Sequence, residues 1–394
     1  MQLVERHIII NNKEIEGLCV KAKNLYNQSL YYLRQAIFGK IKHFGEYELS
    51  ALFAEFNQND FRALPAQTSQ QIIKQVFQNY KSWYKARAEW QKHPEKFNAR
   101  PKLPKYKKTT SIVLFTSQQL KFKDGFIHFP KMANLQSLKT KVENICQVRI
   151  IPQASCFVIE VVYNKNIEVN ENLKKENILS IDLGLNNFAT CVNNVGKAPF
   201  IINGKVLKSV NQMYNKTKAR LMSCIGSRGT SNRINKLTHY RNCFIGDKLH
   251  KTSRFIINYC VENNLGTIII GHNKGWKDEI NIGKSNNQKF VSVPHSKLID
   301  KIRYKAELIG INVIENEESY TSKVDHLAYE TLKHHDVYLG KRIKRGLFQS
   351  STGKLINADV NGAIGIARKV IGDSVVKQII DSGLAFNPIK INVF

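Results

Sequence analysis

The sequence predicts an α+β protein of several domains, with a helical and β-rich first half and a larger α/β sheet in the second half. The length of 394 residues is enough for two or three domains, and the hydrophobic content of 42% is that of a folded chain. In the second half, hairpin-like strands are followed by helices and then by strands and helices in alternation. That order indicates an α/β sheet of the ribonuclease-H type.

Strand and helix periodicities alternate in the first half of the chain. Residues 1–10 alternate in polarity and predict a strand, and residues 13–38 predict a helix. From Thr68 to Trp90 apolar residues recur at helical spacing. The other face of this helix is polar and carries Gln71, Lys74 and Gln78. This face is either a solvated helix surface or a surface that contacts nucleic acid.

Residues 94–108 differ in character from the helix before them. Prolines in this segment prevent a continuous helix. Its closely spaced basic residues are Arg100, Lys102, Lys105, Lys107 and Lys108. We interpret the segment as an extended basic linker between lobes that suits a phosphate backbone, with a solvated loop as the alternative.

Short strands separated by turns follow between residues 111 and 163. Asp124 and Gly125 form a hairpin-turn signal in this region. The pattern predicts an antiparallel β-barrel-like module that the N-terminal strand completes.

The predicted α/β sheet begins with one strand at residues 178–192, a turn at 193–196 and a second strand at 198–202. Its later elements are helices at about 207–225 and 231–264, a buried strand at 266–271, a helix at 295–310 and a strand at 311–314.

Two aspartates mark a candidate active site in this sheet. Asp182 lies in the first strand, two residues before Gly184, and Asp359 opens a helix rich in small residues. Open α/β sheets place ligands at the carboxyl ends of their strands. Carboxylates on a strand and on a distant helix are what a two-metal phosphodiesterase site needs.

The charge of the chain narrows the class of partner. Sixty Lys and Arg residues against 31 acids give a formal net charge of +29, spread along the whole chain. This excess favours a polyanionic partner over a merely solubilising surface. No run reaches the roughly 18 apolar residues of a membrane span, and the first residues lack the pattern of a signal peptide. Seven scattered cysteines without a Cys-x-x-Cys pair predict reduced thiols and no structural zinc.

Three segments carry a resemblance to a known family. Asp182 in Ile-Asp-Leu-Gly-Leu, the Tyr-Thr-Ser-Lys of residues 320–323 and Asp359 in Asn-Ala-Asp-Val-Asn-Gly-Ala-Ile are similar to motifs of the TnpB proteins, RuvC-type nucleases of insertion sequences. The helix entered through Leu64 and the stretch 101–108 also resemble this family, so the resemblance covers essentially the whole chain.

The resemblance implies an RNA-guided DNA endonuclease. In such an enzyme a guide RNA pairs with the target strand, and the N-terminal lobes read a short motif that flanks the target. The resemblance also implies three carboxylates that hold two Mg²⁺ ions, with Mn²⁺ as an alternative.

The resemblance further implies a division into domains. These are a β-barrel wedge-type domain at 1–10 and 109–175, a helical recognition lobe with the basic linker at 11–108, a RuvC nuclease domain at 176–316 and 355–372, an insert at 317–354 and a C-terminal tail at 373–394. The insert stands where relatives usually have a zinc finger, but it has no cysteine. We expect His326, His334 and His335 within it to be ordinary surface histidines.

One position departs from the family's motifs. The second RuvC motif normally ends its strand with Glu, but the matching strand here ends in Gly271. Two aspartates alone would hold two divalent ions weakly. We therefore predict that Glu318 supplies the third carboxylate, from the end of a neighbouring strand about 4.8 Å away. Glu317 would face the opposite side, Asp278 and Glu279 lie in a polar insertion that leads away, and a solvated acidic loop is the remaining alternative.

Further basic residues are candidates for contacts with nucleic acid, with plain solvent exposure as the alternative. They are Lys251, Arg254, Lys323, Lys341, Arg342, Lys344 and Arg345. The last four form a hairpin-like stretch between two glycines, which suits a phosphate clamp near the scissile strand.

The sequence therefore predicts a metal-dependent DNA endonuclease of an insertion sequence, guided by RNA from the transposon end. Two alternatives stay open: an RNA-guided DNA-binding repressor whose nuclease has lapsed, and a ribonuclease-H-like transposase or resolvase without a guide. We expect a monomer in the prokaryotic cytoplasm, associated with the nucleoid and with double-stranded target DNA.

Overall fold

The computed structural model describes residues 1–226, 229–273 and 294–393 of the chain. These residues form two compact units, Met1–Lys165 and Asn166–Phe394. No helix in the described part of the chain is both long and apolar enough to cross a bilayer.

The first unit contains four helices. They are α1 (Lys13–Ile37), α2 (Glu46–Glu55), α3 (Asn59–Arg62) and α4 (Ala66–Lys92). Helix α1 begins where the Asn12 side chain accepts a hydrogen bond from the backbone N–H of Ile15 at 2.8 Å, which satisfies one of the free donors of the first turn. The apolar stripe predicted for α4 is confirmed, since Ile73 and Val76 are fully buried in the core of this unit.

Seven short strands complete the first unit. They are β1 (Gln2–Ile9), β2 (Val113–Thr116), β3 (Lys121–Lys123), β4 (Phe126–His128), β5 (Leu138–Lys139), β6 (Ile145–Pro152) and β7 (Phe157–Asn164). They form a four-stranded antiparallel sheet in the order β1-β7-β6-β2 and a three-stranded sheet β3-β4-β5. The N-terminal strand pairs with β7. The strands form two separate sheets, so the barrel-like module stays a prediction.

The basic segment at residues 94–108 is hydrogen-bonded to the helices of this unit. The indole N–H of Trp83 on α4 donates to the carbonyl of Pro101 at 3.2 Å. Asn27 on α1 donates to the carbonyl of Lys107 at 2.9 Å and accepts from its N–H at 2.8 Å. The expected linker is thus held against α1 and α4 over part of its length.

The second unit is built on a six-stranded sheet. Its strands are β8 (Lys174–Leu183), β9 (Asn187–Asn193), β10 (Phe200–Asn203), β11 (Leu265–Gly271), β12 (Asn312–Asn316) and β16 (Ile389–Ile391). The order is β12-β11-β8-β9-β10-β16; the pairs β8–β9 and β9–β10 are antiparallel, whereas β11 is parallel to β8, β12 to β11 and β16 to β10. An antiparallel meander extended by strands parallel to its first strand is a ribonuclease-H-type arrangement.

The prediction of one strand at residues 178–192 is wrong. The chain reverses after Leu183, and β9 returns antiparallel to β8, with Asp182 opposite Thr190. Gly184 permits this reversal, because a Cβ at that position would collide with the carbonyl oxygen of Asn187. The second half of β8 and nearly all of β9 are buried and mostly apolar, so the sequence shows one continuous run where the fold has a hairpin.

Helices cover both faces of this sheet. They are α5 (Lys205–Ser223), α6 (Asn232–Glu262), α7 (His295–Glu307), α8 (Ala358–Ile371) and α9 (Ser374–Asp381). Leu179 of β8 packs in the cluster that contains Ile256 and Leu298, whereas its neighbour Ile178 packs in the cluster that contains Val360 and Ile364. Helices α6 and α7 therefore lie on one face and α8 on the other.

A small antiparallel sheet precedes α8. It consists of β13 (Lys341–Lys344), β14 (Leu347–Gln349) and β15 (Leu355–Asn357). Strands β13 and β14 lie within the insert expected at 317–354, and β15 leads the chain directly into the helix that carries Asp359.

Candidate active site

Asp182 lies at the carboxyl end of β8, against helix α8. A Cβ on Gly362 of α8 would lie only 2.9 Å from Oδ2 of Asp182, so the small residue there lets helix and carboxylate approach. Ser180 donates to the carbonyl of Ala363 at 2.7 Å and ties the same strand to the same helix. Burial raises the pKa of Asp182 well above its usual range, and the negative charges of Glu318 and Asp359 raise it further.

Asp359 lies in the first turn of α8. The Asn357 side chain caps this helix, accepting from the N–H of Asp359 at 2.9 Å and from that of Val360 at 3.3 Å. Asn187, at the start of β9, donates from Nδ2 to Oδ2 of Asp359 at 2.5 Å. The guanidinium of Arg342 lies 3.9 Å from Oδ1 of the same carboxylate.

Glu318 lies two residues beyond the end of β12. That strand is the direct neighbour of β11, with Asn316 paired to Gly271. The backbone N–H of Glu318 donates to Oδ1 of Asn273 at 2.8 Å, and its carbonyl accepts from the Thr321 hydroxyl at 2.8 Å. The segment that carries Glu318 is therefore fixed on both sides.

The Glu318 side chain fills the space in front of Gly271. A Cβ on Gly271 would lie 2.6 Å from Oε1 and 2.7 Å from Cγ of Glu318, and it would also collide with Ile366. The carboxylate thus occupies the place that a side chain at position 271 would take. Burial raises the pKa of Glu318 to about 7.

The donor set fits a hard divalent cation. The carboxylates of Asp182, Glu318 and Asp359 offer hard oxygen ligands, and the charges of Glu318 and Asp359 raise the pKa of Asp182. A bound Mg²⁺ would neutralise this excess of negative charge. Among residues 1–226, 229–273 and 294–393, no group of three or more His, Cys, Asp or Glu side chains is arranged so that it could hold a metal ion.

The other acids considered from the sequence lie elsewhere. Glu317 is exposed and lies 3.8 Å from the ammonium of Lys369. Asp278 and Glu279 fall outside the described residues.

The candidate nucleic-acid contacts are distributed over both units. In the first unit Lys74, Gln78, Lys102, Lys105 and Lys108 are exposed and Gln71 is half-buried. In the second unit Lys251, Arg254, Lys323, Lys341, Arg342, Lys344 and Arg345 are exposed. Of these, Arg342 is the one with an ion pair to a candidate catalytic carboxylate within the described chain.

Lys107 differs from the other lysines of the basic segment. Its ammonium donates to Ser111 at 2.6 Å and to Gln75 at 3.2 Å, and it lies 3.9 Å from the centroid of the Tyr26 ring. Burial lowers the pKa of Lys107 to about 8. Its charged group is thus engaged inside the first unit.

The expectation of a surface histidine at position 326 is wrong. His326 is fully buried, and its Nε2 lies 2.8 Å from the carbonyl of Thr321. Burial lowers the pKa of His326 to about 4, so the ring is neutral at physiological pH. A Cβ on Gly365 would collide with this ring, which shows how closely it packs on α8. No local pattern predicts this packing, since the residue lies in an irregular segment.

Asn187 is a site residue that the sequence reasoning missed. It follows the turn at Gly184, and its contact with Asp359 depends on the β8–β9 hairpin. The prediction of one continuous strand at 178–192 did not include that hairpin. An Asn at a tight turn after an active-site strand is the signal that could have drawn attention to it.

Two family models match this chain. The OrfB_IS605 family, described as a probable transposase, matches residues 157–277, and the Cas12f1-like TNB domain matches residues 295–366. These two matches support a TnpB-like protein. The matched ranges contain Asp182, Gly271, Glu318 and Asp359.

Solved structures with low sequence identity are similar to this TnpB-like chain. A Cas12f1–sgRNA–target DNA complex is 16% identical, with a TM-score of 0.38 over 94% of this chain and 100% of that one. The mini RNA-guided endonuclease CRISPR-Cas_phi3 is 9% identical, with a TM-score of 0.43 over 95% of this chain and 92% of that one. A comparison with curated proteins gave no match.

Proposed function

We propose that this TnpB-like chain is an RNA-guided, metal-dependent DNA endonuclease of an insertion sequence. One observation carries the proposal: the carboxylate of Glu318 occupies the space in front of Gly271, where the third acid of the site is needed. Without it, two aspartates would face two divalent cations alone. With it, the chain has three anionic ligands on β8, after β12 and on α8.

Asp182, Glu318 and Asp359 are the residues that would hold two Mg²⁺ ions, with Mn²⁺ as an alternative. When bound there, the ions would supply the Lewis acidity needed to activate a water for attack on a phosphodiester and to stabilise the leaving 3′ oxygen. Asn187 fixes the orientation of the Asp359 carboxylate through its hydrogen bond of 2.5 Å. Arg342, at 3.9 Å from Asp359, brings a positive charge to the place that the substrate phosphate must approach.

Guide RNA and double-stranded target DNA are the partners that fit this function. The net charge of +29 supplies the cations needed to neutralise an RNA scaffold and a DNA duplex together. Base pairing would then carry the sequence specificity, and the protein would hold the heteroduplex by its backbone. We also propose that the protein acts on DNA of the prokaryotic nucleoid.

A repressor with a lapsed nuclease is the second candidate. Gly271 favours it, because the strand that normally supplies an acid ends here without one. Such a protein would bind guide RNA and target DNA as tightly as a nuclease but would leave the DNA intact.

The test is cleavage by the complex as it is made in cells. The chain is expressed with its flanking transposon end, the co-purified RNA is sequenced, and a matched plasmid is incubated with Mg²⁺ or with EDTA. We expect cleavage in Mg²⁺ alone, and we expect Glu318→Ala to slow it by about 1,000-fold, or about 4 kcal/mol of transition-state stabilisation.

Glu317→Ala is the matched control, since it removes an exposed acid from the adjacent position. It should cut at the wild-type rate. Equal cleavage by Glu318→Ala and wild type would refute the role of Glu318. RNA and target binding without cleavage would establish the repressor, and purification without RNA would establish an unguided enzyme.

A further inference from the structure

A cavity of about 510 Å³ opens beside Asp359. Cationic side chains from three separate elements line it: Lys205, Arg342, Arg345 and Lys390. Among the described residues that line it, Asp359 is the one acid. Bound metal ions would neutralise the negative charge of Asp359. The four cationic side chains then make the cavity suited to an anionic ligand.

The two walls of this cavity come from different parts of the chain. Arg342 and Arg345 belong to the hairpin of β13 and β14, which the sequence marked as basic. Lys205 is the first residue of α5, and Lys390 is the central residue of β16 near the end of the chain. Lys205 and Lys390 were not among the residues that the sequence singled out, and the C-terminal tail had no chemistry assigned to it.

The fold holds the second wall in place. Strand β16 runs parallel to β10, with Lys390 paired to Ile201, and the N–H of Ile389 donates to the carbonyl of Pro199 at 2.8 Å. Asn203, just before α5, donates to the Asn392 side chain at 3.0 Å. The start of α5 and the C-terminal strand are therefore bound to one another through the end of β10.

The same wall is bound to the loop that carries Asn187. The N–H of Gly204 donates to the carbonyl of Asn186 at 2.8 Å, and a Cβ on Gly204 would collide with the carbonyl of Leu185. Lys208 donates to the Asn186 side chain at 3.0 Å. Lys205 and Lys390 thus have a fixed relation to the residue that orients Asp359.

Three of the four cationic side chains named for this cavity are available to bind a ligand. Within the described residues, the side chains of Lys205, Arg345 and Lys390 make no ion pair or hydrogen bond, and all three are exposed. Structural lysines elsewhere in the chain differ in this respect: Lys305, for example, donates to Ser253 at 2.6 Å and to the carbonyl of His250 at 2.8 Å.

We propose that Lys205 and Lys390 are positioning residues that bind phosphates of the substrate strand next to the scissile one. The ligand is the phosphodiester backbone of a single DNA strand, held between the Lys205–Lys390 wall and the Arg342–Arg345 wall. This inference rests on the proposed endonuclease function and adds the C-terminal strand to its active site.

The experiment uses the guide-loaded complex and three double variants. Lys205→Gln/Lys390→Gln removes both charges, and Lys205→Arg/Lys390→Arg keeps them. Lys216→Gln/Lys377→Gln is the matched control, because it removes two exposed lysines from α5 and from the C-terminal region outside the cavity. We expect the Gln pair in the cavity to slow cleavage about tenfold or more, as the loss of two charge-assisted phosphate contacts implies.

The charge-preserving variant and the control decide what such a loss means. The Arg pair should cut within about twofold of wild type, as should the Lys216–Lys377 control, if charge and position are what matter. Wild-type cleavage by the Gln pair would overturn the inference. Equal slowing by the Arg pair and the Gln pair would also overturn it, since the lysines would then be structural.

A binding measurement separates this inference from the endonuclease proposal. Each complex is titrated with a fluorescein-labelled dT12 strand at several salt concentrations. Loss of two phosphate contacts should reduce the slope of log affinity against log salt by about 1.4 relative to the control variant. If wild type does not cut but this slope falls, the inference stands and the endonuclease proposal fails; an unchanged slope overturns the inference whether or not wild type cuts.

Discussion

Two groups of acids in the second unit have opposite surroundings. Asp182 and Glu318 receive no hydrogen bond on their carboxylates from the described residues, and burial raises the pKa of each. Asp325 and Glu330 are more deeply buried than this half-buried pair, but donors surround them. The first pair is left with unbalanced charge, and the second is not.

The second group is saturated with hydrogen bonds. Asp325 accepts from the N–H of Ser351 at 2.7 Å, from the hydroxyl of Ser350 at 2.9 Å and from the N–H of Leu327 at 3.2 Å. Glu330 accepts from the N–H groups of Asp325 and Leu339 at 2.7 and 2.8 Å. This network holds together the insert in which the cysteines of a zinc finger are missing.

The contrast separates acids that the fold supplies with hydrogen-bond donors from the acids of the proposed site. A buried carboxylate that its own fold satisfies stabilises the fold, whereas one without donors destabilises it until a ligand arrives. Burial alone would have misled, since the two acids with hydrogen-bond donors are the more deeply buried pair. The hydrogen-bond partners divide them.

Substituting one acid from each group tests whether their hydrogen-bond surroundings set their roles. Asp182→Asn should slow DNA cleavage by about 1,000-fold or more, since it removes a ligand of the proposed metal site. In EDTA the variant should melt at or above the wild-type temperature, because it also removes an unsatisfied buried charge. Cleavage kinetics and thermal unfolding on one preparation test both parts.

Asp325→Ala should have the reverse effect on stability. It leaves several buried N–H and hydroxyl donors unpaired, which costs about 3 kcal/mol and lowers the melting temperature by roughly 6–12 °C. The remaining folded protein should cut at the wild-type rate at low temperature. An Asp325→Ala variant as stable as wild type would show that the network does not hold the insert.

Glu318→Gln tests how the free energy of unfolding depends on pH. The pKa of Glu318 is about 7 in the fold against 4.5 ordinarily, so the folded state binds more protons between these values. Its stability contribution is therefore lost as pH rises from about 4.5 through 7. In EDTA at pH 8 the Gln variant should be more stable than wild type by about 1–3 kcal/mol, and at pH 4 the two should agree.

Thermal melts at the two pH values, with Glu317→Gln as control, check this expectation. Adding Mg²⁺ should stabilise wild type more than the Gln variant. The same stability difference at pH 4 and pH 8 would contradict a buried, titrating Glu318.

Substituting Asn187 should impair cleavage less than substituting Asp182. Asn187→Ala removes the hydrogen bond to Asp359, and loss of such an outer partner typically weakens metal affinity or activity 10- to 100-fold. The Mg²⁺ concentration for half-maximal cleavage should rise accordingly. Asn186→Ala in the same turn is the control, and an equal shift in both variants would point to the turn and not to the hydrogen bond.

The sequence predicted those parts of the fold that follow from periodicity. The stripe of α4, the long helices α5 and α6 and the strand that ends in Gly271 repeat apolar residues at regular spacing. The position of Glu318 near Gly271 followed from one further step, the parallel pairing of β11 with β12.

The missed features depend on contacts between residues far apart in sequence. The reversal at Gly184 lies inside a continuous apolar run, so local pattern could not separate β8 from β9. The burial of His326 depends on its packing against Gly365, and the approach of Lys390 to the site depends on the pairing of β16 with β10. No local signal encodes either of these contacts.

Gly271 has a consequence for any attempt to redesign this site. Because a Cβ there would collide with the ends of the Glu318 and Ile366 side chains, an acid at position 271 would displace both from their present positions. An added acid at position 271 and Glu318 therefore compete for the same space. Moving the carboxylate from position 318 to position 271 is thus best designed as a paired substitution.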